Sequence, residues 1–283
     1  MIDLEKESEN LLIWAAEEAF SLQLLAALCR IGKTVQPLAR NQEGLKKVST
    51  VHPKVKTQES FAEFQEGKIL WAPTRELFSN APLSSASTEE LKTLLSKKRP
   101  LIIASSHNSF SQLKDFHSES HLKILYFPTL IGFGDENFFE SLLESILDSN
   151  SFADLPSQNM MALKDAISLM LSLVLDKSNQ FPSQIWCEGK PLSPDEIIEG
   201  LSDFQKIKVQ NTFSKKMRDL LGKNKKWEIQ NPLHEKPQNL ASHAEVFPTL
   251  LTPWKRFLKE SIRVYENTKD GNILLHFPPS RAP

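Results

Sequence analysis

The stretch Leu22-Gln-Leu-Leu-Ala-Ala-Leu-Cys-Arg-Ile-Gly-Lys-Thr34 decides how the chain is read. Leu22 to Leu28 holds no β-branched residue, so by propensity it extends a helix to about residue 29. As an uninterrupted apolar run ending before Gly32, it reads equally as a buried parallel strand. Periodicity does not choose between the two. If it is a strand, Gly32, Lys33 and Thr34 match the end of the phosphate-cradling pattern G-x-x-x-x-G-K-[ST]. There backbone amides hold phosphates, the lysine reaches the terminal ones and the hydroxyl binds magnesium. Ala27 stands where the first glycine of that pattern belongs, a position that usually needs a positive φ. If the run is a helix, the same residues are its basic end.

Upstream, the apolar stripe of residues 3–19 predicts an amphipathic helix. Downstream, residues 30–56 carry seven Lys or Arg against the single acid Glu43, which reads as a solvated loop or as an anion-facing segment. Strands are expected at 68–72, 101–104 and 122–127, the first halted by Pro73 and the last by Pro128, with helices at about 84–96 and 109–117. This alternation predicts an α/β fold with a parallel sheet. Beyond Pro128 the pattern turns helical, with helices at about 135–148, 159–176, 194–205, 207–221 and 249–266 and one short strand near 184–187.

Composition bounds the function. The 283 residues carry 34 basic and 35 acidic side chains, a net charge of −1 that argues against a histone-like binder. Nine glycines against seventeen prolines and seventeen phenylalanines disfavour a β-barrel or propeller. The two cysteines, Cys29 and Cys187, form neither a disulfide framework nor a four-cysteine zinc site, so no metal centre is expected. The most apolar window, Leu11 to Ile31, carries Glu17, Glu18 and Gln23 near its middle and reads as protein core, not as a membrane span. With an acidic start and no leader pattern, a cytoplasmic location is the expectation.

Taken in order, the segments Leu22–Arg40, Val51-His-Pro-Lys-Val55, Gly67–Ala72, Glu90–Leu95, Leu101–Ser106 and Leu113–Ser120 resemble the bacterial DNA polymerase III clamp-loader subunits, the delta-prime type in particular. The resemblance covers roughly residues 5–128, with a looser echo at 255–277. It implies a degenerate AAA+ domain over 1–128, a reduced lid over 129–180 and a mostly helical, collar-like domain over 181–283. It also implies a vestigial nucleotide site at Gly32, Lys33 and Thr34, and a DNA-backbone-facing surface at Arg40, Lys46 and Lys47. The partners it implies are the tau or gamma and delta subunits, and through them the sliding clamp and primed DNA.

Three departures shape the mechanism expected from that resemblance. ATP hydrolysis needs acids after the second strand to hold magnesium, yet that place reads Ala72-Pro73-Thr74. Glu119 falls where a neighbour-facing arginine belongs, and the zinc cysteines are missing. A non-hydrolysing accessory subunit of DNA replication, with no catalytic residue and no cofactor, is therefore the expected function. Two alternatives are an inactive P-loop adaptor of another complex and a phosphodiesterase working through His107, whose surroundings Ser105-Ser-His-Asn-Ser-Phe110 resemble a phospholipase segment. His117 and His121, four residues apart, read as partly exposed histidines and not as metal ligands. The basic and aromatic residues around Lys215–Trp227 and Trp254–Phe257 read as helix packing.

Overall fold

Leu11-Leu-Ile-Trp14 is a strand, β1, and not part of the helix expected over 3–19. All four side chains are buried. Leu11 and Ile13 join one apolar cluster, while Leu12 and Trp14 join the other. Alternation sends successive side chains to opposite faces, so a run buried at every position is what a central parallel strand requires. The ambiguous run is a helix: α1 spans Ala19–Arg30, and ten of its twelve residues are buried. Chain order at the start is thus strand then helix, the reverse of the expected order. The structure is a computed structural model, and it describes residues 10–63, 67–131, 158–176, 181–192, 235–247, 252–253 and 256.

Around β1 an eight-stranded sheet assembles. β2 (Val35–Ala39) and β3 (Lys56–Thr57) lie on one side of it. β4 (Lys68–Trp71), β5 (Leu101–Ser106) and β6 (Leu122–Phe127) follow on the other. A shorter sheet stands beside it, built from β7 (Thr129–Ile131), β8 (Gln158–Ala162) and β10 (Lys190–Leu192). β9 (Gln184–Trp186) and β11 (Ala241–Ser242) complete the large sheet beyond β6. Its order is β3-β2-β1-β4-β5-β6-β9-β11, with every neighbouring pair parallel. The first six places repeat the 3-2-1-4-5-6 order of the doubly wound, dinucleotide-binding Rossmann fold.

Helices cover both faces. α1 packs against α6 (Leu163–Leu175) over one face. α4 (Ser85–Leu95) puts Leu91 and Leu94 into the cluster on the other. Shorter helices are α2 (Gln42–Ser49), α3 (Thr74–Ser79), α5 (Phe110–Leu113) and α7 (His243–Val246). Between β9 and β10, Gly189 lies so close to the small sheet that a Cβ there would meet the Met160 carbonyl oxygen at 2.6 Å.

The α/β class and the parallel sheet hold, whereas the AAA+ architecture with a helical collar does not. β9 and β11, from the stretch expected to be collar, extend the same sheet as β1. Continuous pairing from β3 to β11 leaves no separate all-helical unit among the described residues. The helix expected over 159–176 divides at Ala162, where β8 ends and α6 begins. Its first residues pair with β7 and β10. The helix expected over 109–117 shrinks to α5 and two flanking 3-10 turns. The helices expected at 135–148, 194–205 and 207–221, and most of 249–266, lie outside the described residues, as do Lys215–Trp227. No helix among the described residues is long and apolar enough to cross a membrane.

Candidate nucleotide cleft

In an open parallel sheet the ligand crevice lies beyond the carboxyl ends of the strands, where the strand order reverses. Here the reversal is at β1, between β2 and β4. The first strand-to-helix turn, Ala15-Ala-Glu-Glu18, is where this fold places a G-x-G-x-x-G sequence for the pyrophosphate. Ala15 has a φ of +54°, the left-handed conformation that a glycine would supply without steric cost. Ala16 N–H donates to the Leu38 carbonyl at 2.9 Å, which ties the turn to β2. The turn therefore keeps the backbone shape of a glycine turn but carries side chains.

Two of those side chains, Glu17 and Glu18, stand at the crevice and are already paired. Glu18, the N-cap of α1, accepts from Thr74 N–H at 2.8 Å, and its carboxylate is ion-paired with the Arg40 guanidinium. Phe20 N–H, in the first turn of α1, donates to the Thr74 hydroxyl at 3.3 Å and so is already engaged. Arg40 follows directly on β2. Its Nε and Nη2 donate to the two oxygens of Glu90 at 3.1 and 2.7 Å, a two-pronged contact. Glu17 accepts from Arg40 N–H at 3.3 Å and lies 3.9 Å from Nη1. Trp14 Nε1–H, at the end of β1, donates to Glu90 at 2.6 Å.

Three carboxylates thus share one guanidinium at the positive end of α1. A helix N-terminus favours an anion, and here the chain's own carboxylates take that place. Burial pushes the Glu18 carboxyl above its ordinary value, with Arg40 and the Thr74 amide acting against the rise. Burial also works against the charge on Arg40. Its hydrogen bond to Glu90 and the charge of Glu18 outweigh that and hold its pKa above the ordinary value.

The far side of the crevice is equally committed. At the end of β5, Ser106 donates to the Ala81 carbonyl and sits 2.9 Å from the Ser109 hydroxyl. Asn108 Nδ2 donates to the Asn80 carbonyl at 2.6 Å. His107 is buried and stacked on Trp186, with ring centroids 3.7 Å apart, and its Nε2 lies 3.0 Å from the Cys187 carbonyl oxygen.

The residues singled out from sequence separate widely. Gly32, Lys33 and Thr34 join the end of α1 to the start of β2, helix to strand, whereas a phosphate loop runs from strand to helix. They lie at the amino ends of the strands, opposite the crevice. Lys46 and Lys47 are exposed in the last turn of α2. Arg40 is not grouped with them, because its guanidinium turns into the crevice. Glu17, Glu18 and Glu90, which sequence reasoning passed over, form its surroundings. The readable signal was a buried tetrad, Leu11–Trp14, followed by a short turn, a helix and the Arg40 position some twenty-five residues on.

No protein-family model and no curated protein matches the sequence. Solved structures do. The Candida albicans Gre2 structure in complex with NADPH superposes with a TM-score of 0.59 at 10% identity, covering 93% of this chain and 100% of that one. Vestitone reductase from alfalfa gives 0.58 at 11%, over 92% and 99%. The dTDP-glucose 4,6-dehydratase of Bacillus anthracis, in complex with NAD, gives 0.57 at 12%, over 93% and 98%. At such identities the likeness is one of fold, the fold already indicated by the strand order.

These neighbours correct the expectations built on the clamp-loader resemblance. Nothing ties the chain to DNA replication, to tau, gamma or delta subunits, or to a clamp. The P-loop adaptor falls with the P-loop. The phosphodiesterase reading falls with His107, which is built into the core beside Trp186. The expectation of no cofactor is corrected as well, since the dehydratase was solved with NAD and Gre2 with NADPH, and a nicotinamide dinucleotide is the group against which this crevice is to be tested. In the arrangement described, the residues do not fit one bound in the usual way of the fold. Glu17 and Glu18 stand at the pyrophosphate turn, and Arg40, at the ribose-recognition position, is already paired.

Proposed function

We propose that this chain works without hydride transfer, as a dinucleotide-fold protein whose crevice is latched by its own side chains. The convergence of Glu17, Glu18 and Glu90 on Arg40 carries this reading. Carboxylates at the phosphate turn repel a diphosphate, and displacing Arg40 leaves them unpaired and half-buried. Hydride transfer to a carbonyl also needs a positioned proton donor, and Ser106 and Asn108 at the end of β5 are bound to backbone carbonyls. A fold does not carry its chemistry with it, and this one serves here through what it binds and presents.

The experiment is to incubate the full chain with NADPH or NADH and a panel of small aldehydes and ketones, following nicotinamide absorbance. Absorbance stays constant on this reading. Steady, protein-dependent oxidation of either cofactor with any carbonyl overturns it.

A second reading keeps the dinucleotide as a bound regulator. Arg40 sits at the end of β2, where an arginine in this fold accommodates the 2′-phosphate of NADP. The solution of Gre2 with NADPH supports the same thought. If Arg40 swings from Glu90 to the phosphate, NADPH binds at least about tenfold more tightly than NADH, and Arg40→Ala abolishes the preference. Equal or absent binding of the two rejects this second reading.

A further inference from the structure

The connection from β5 to β6 crosses in fifteen residues, 107–121, with a single turn of helix, α5, between two short 3-10 turns. Crossovers between parallel strands ordinarily carry a helix long enough to cover the sheet. Here the wall of that crossover stands apart from the amino ends of β9 and β11, and a cavity of about 750 Å³ lies between them. Small-molecule sites usually measure roughly 300–1,000 Å³. The cavity lies at the opposite end of the strands from the crevice at Arg40.

Its wall is organised. The Phe110 ring lies 5.3 Å from Tyr126 and 6.2 Å from Trp186, both edge-on, and so is fixed against the sheet. His117 Nε2 lies 2.7 Å from the Tyr126 hydroxyl. Lys114 Nζ sits 5.5 Å from the centre of the Phe110 ring. Gln184, Gln238 and Asn239, each with a neutral amide, line the cavity as well. Among the described lining residues Lys114 is the fixed charge and no carboxylate occurs. An aromatic platform, one cation and neutral hydrogen-bonding groups suit a flat ligand with a single negative charge.

We propose that this cavity binds a small aromatic carboxylate, its ring against Phe110 and His117 and its charge toward Lys114.

The test is calorimetric titration of the full chain with 1-naphthoate, with the neutral 1-naphthamide as the charge control. The expected result is one site, with the carboxylate binding about tenfold more tightly than the amide, the scale of one charge-assisted contact. Lys114→Gln, at an exposed position, brings the two within about twofold of each other. Gln238→Trp, exposed at the rim, fills the mouth and weakens both by at least about tenfold. Neither variant removes a core side chain, and circular dichroism matched to the wild type checks that each folds. The proposal is overturned if 1-naphthoate does not bind, if the amide binds as well as the carboxylate, or if neither variant changes the affinity.

Discussion

The two ends of the sheet differ in the chemistry they gather. At the carboxyl ends of β1 and β2 charge is concentrated: Glu17, Glu18 and Glu90 converge on Arg40. At the amino ends of β9 and β11, room has been made by shortening a crossover, and the walls are aromatic and nearly neutral. The difference teaches that a shared strand order says where a crevice is but not which side chains stand in it. Local side chains decide that, and they leave different energetic signatures. A clustered, half-buried set of charges depends on every member, whereas an open cavity tolerates changes at its rim.

The largest effect is therefore expected at Arg40. Arg40→Ala leaves three carboxylates without their cation, and unfolding by urea should show a loss of about 2–4 kcal/mol, below the figure for a fully buried pair because the Arg40 side chain is 33% exposed. The double variant Arg40→Ala/Glu90→Gln should recover part of that loss, because the two residues share one contact and do not act additively. If Arg40→Ala costs under about 0.5 kcal/mol, the cluster is an ordinary surface network and the contrast between the two ends disappears. Next in size is Phe110→Ala, which removes the platform of the cavity. A half-buried ring with three aromatic neighbours should cost about 2 kcal/mol by the same measurement, less than a core phenylalanine.

A smaller effect separates the ends by pH. Burial, aided by the charge of Lys114, holds the His117 pKa below its ordinary value of 6.5. Burial lowers His52 and His243 in the same direction, with Lys54 adding to the first and Glu188 opposing in the second. Such a group stays neutral in the folded chain while the unfolded chain takes up a proton, so its contribution is intact above the unfolded value and is lost as pH falls below it. Stability should decline as pH falls through 6.5, and His117→Phe should flatten part of that decline, leaving the share of the other two. An unchanged slope in His117→Phe would show that the cavity end does not titrate. Glu18 acts with the opposite sign: its raised carboxyl takes up a proton more readily in the folded chain, so its contribution declines as pH rises from 4.5 toward its folded value.

How much of this was legible in the sequence follows from the kind of signal each element carries. β4, β5 and β6 are short apolar runs bounded by proline or a polar turn, and their reading needs no partner. β1 is a run of the same kind, but Leu4, Leu11, Leu12 and Ala15 also fall on a helical stripe, and the stripe concealed the strand. With β1 read as helix, the α1 run reads as a strand and Gly32-Lys33-Thr34 as a phosphate loop, whereas in space the three residues join helix to strand. The clamp-loader resemblance rested on an order of strands and helices that two α/β architectures share. What separates them is which strands are neighbours, and that depends on pairings such as Leu12 with Ile69, far apart in sequence. The crevice was hidden for a further reason: the turn carries Ala15-Ala-Glu-Glu18 and no glycine, so the glycine signature that would mark the site is missing.

Ala15 supplies the smallest and most discriminating test of that replacement. Its φ of +54° places an L-residue in the left-handed region, where a Cβ approaches the following carbonyl at a cost of roughly 1 kcal/mol. Ala15→Gly relieves that contact but gives the unfolded chain more freedom, and the two effects together should leave a gain of about 0.5 kcal/mol in urea unfolding. The sign matters more than the size. A gain means that the turn retains the backbone of a glycine turn under changed side chains, with closure achieved by Glu17, Glu18 and Arg40 alone. A loss of about 1 kcal/mol, the ordinary penalty for glycine in regular structure, would mean that the turn has settled into a conformation of its own. In that case the two ends of the sheet differ in backbone as well as in charge, and removing the carboxylates would not reopen the crevice.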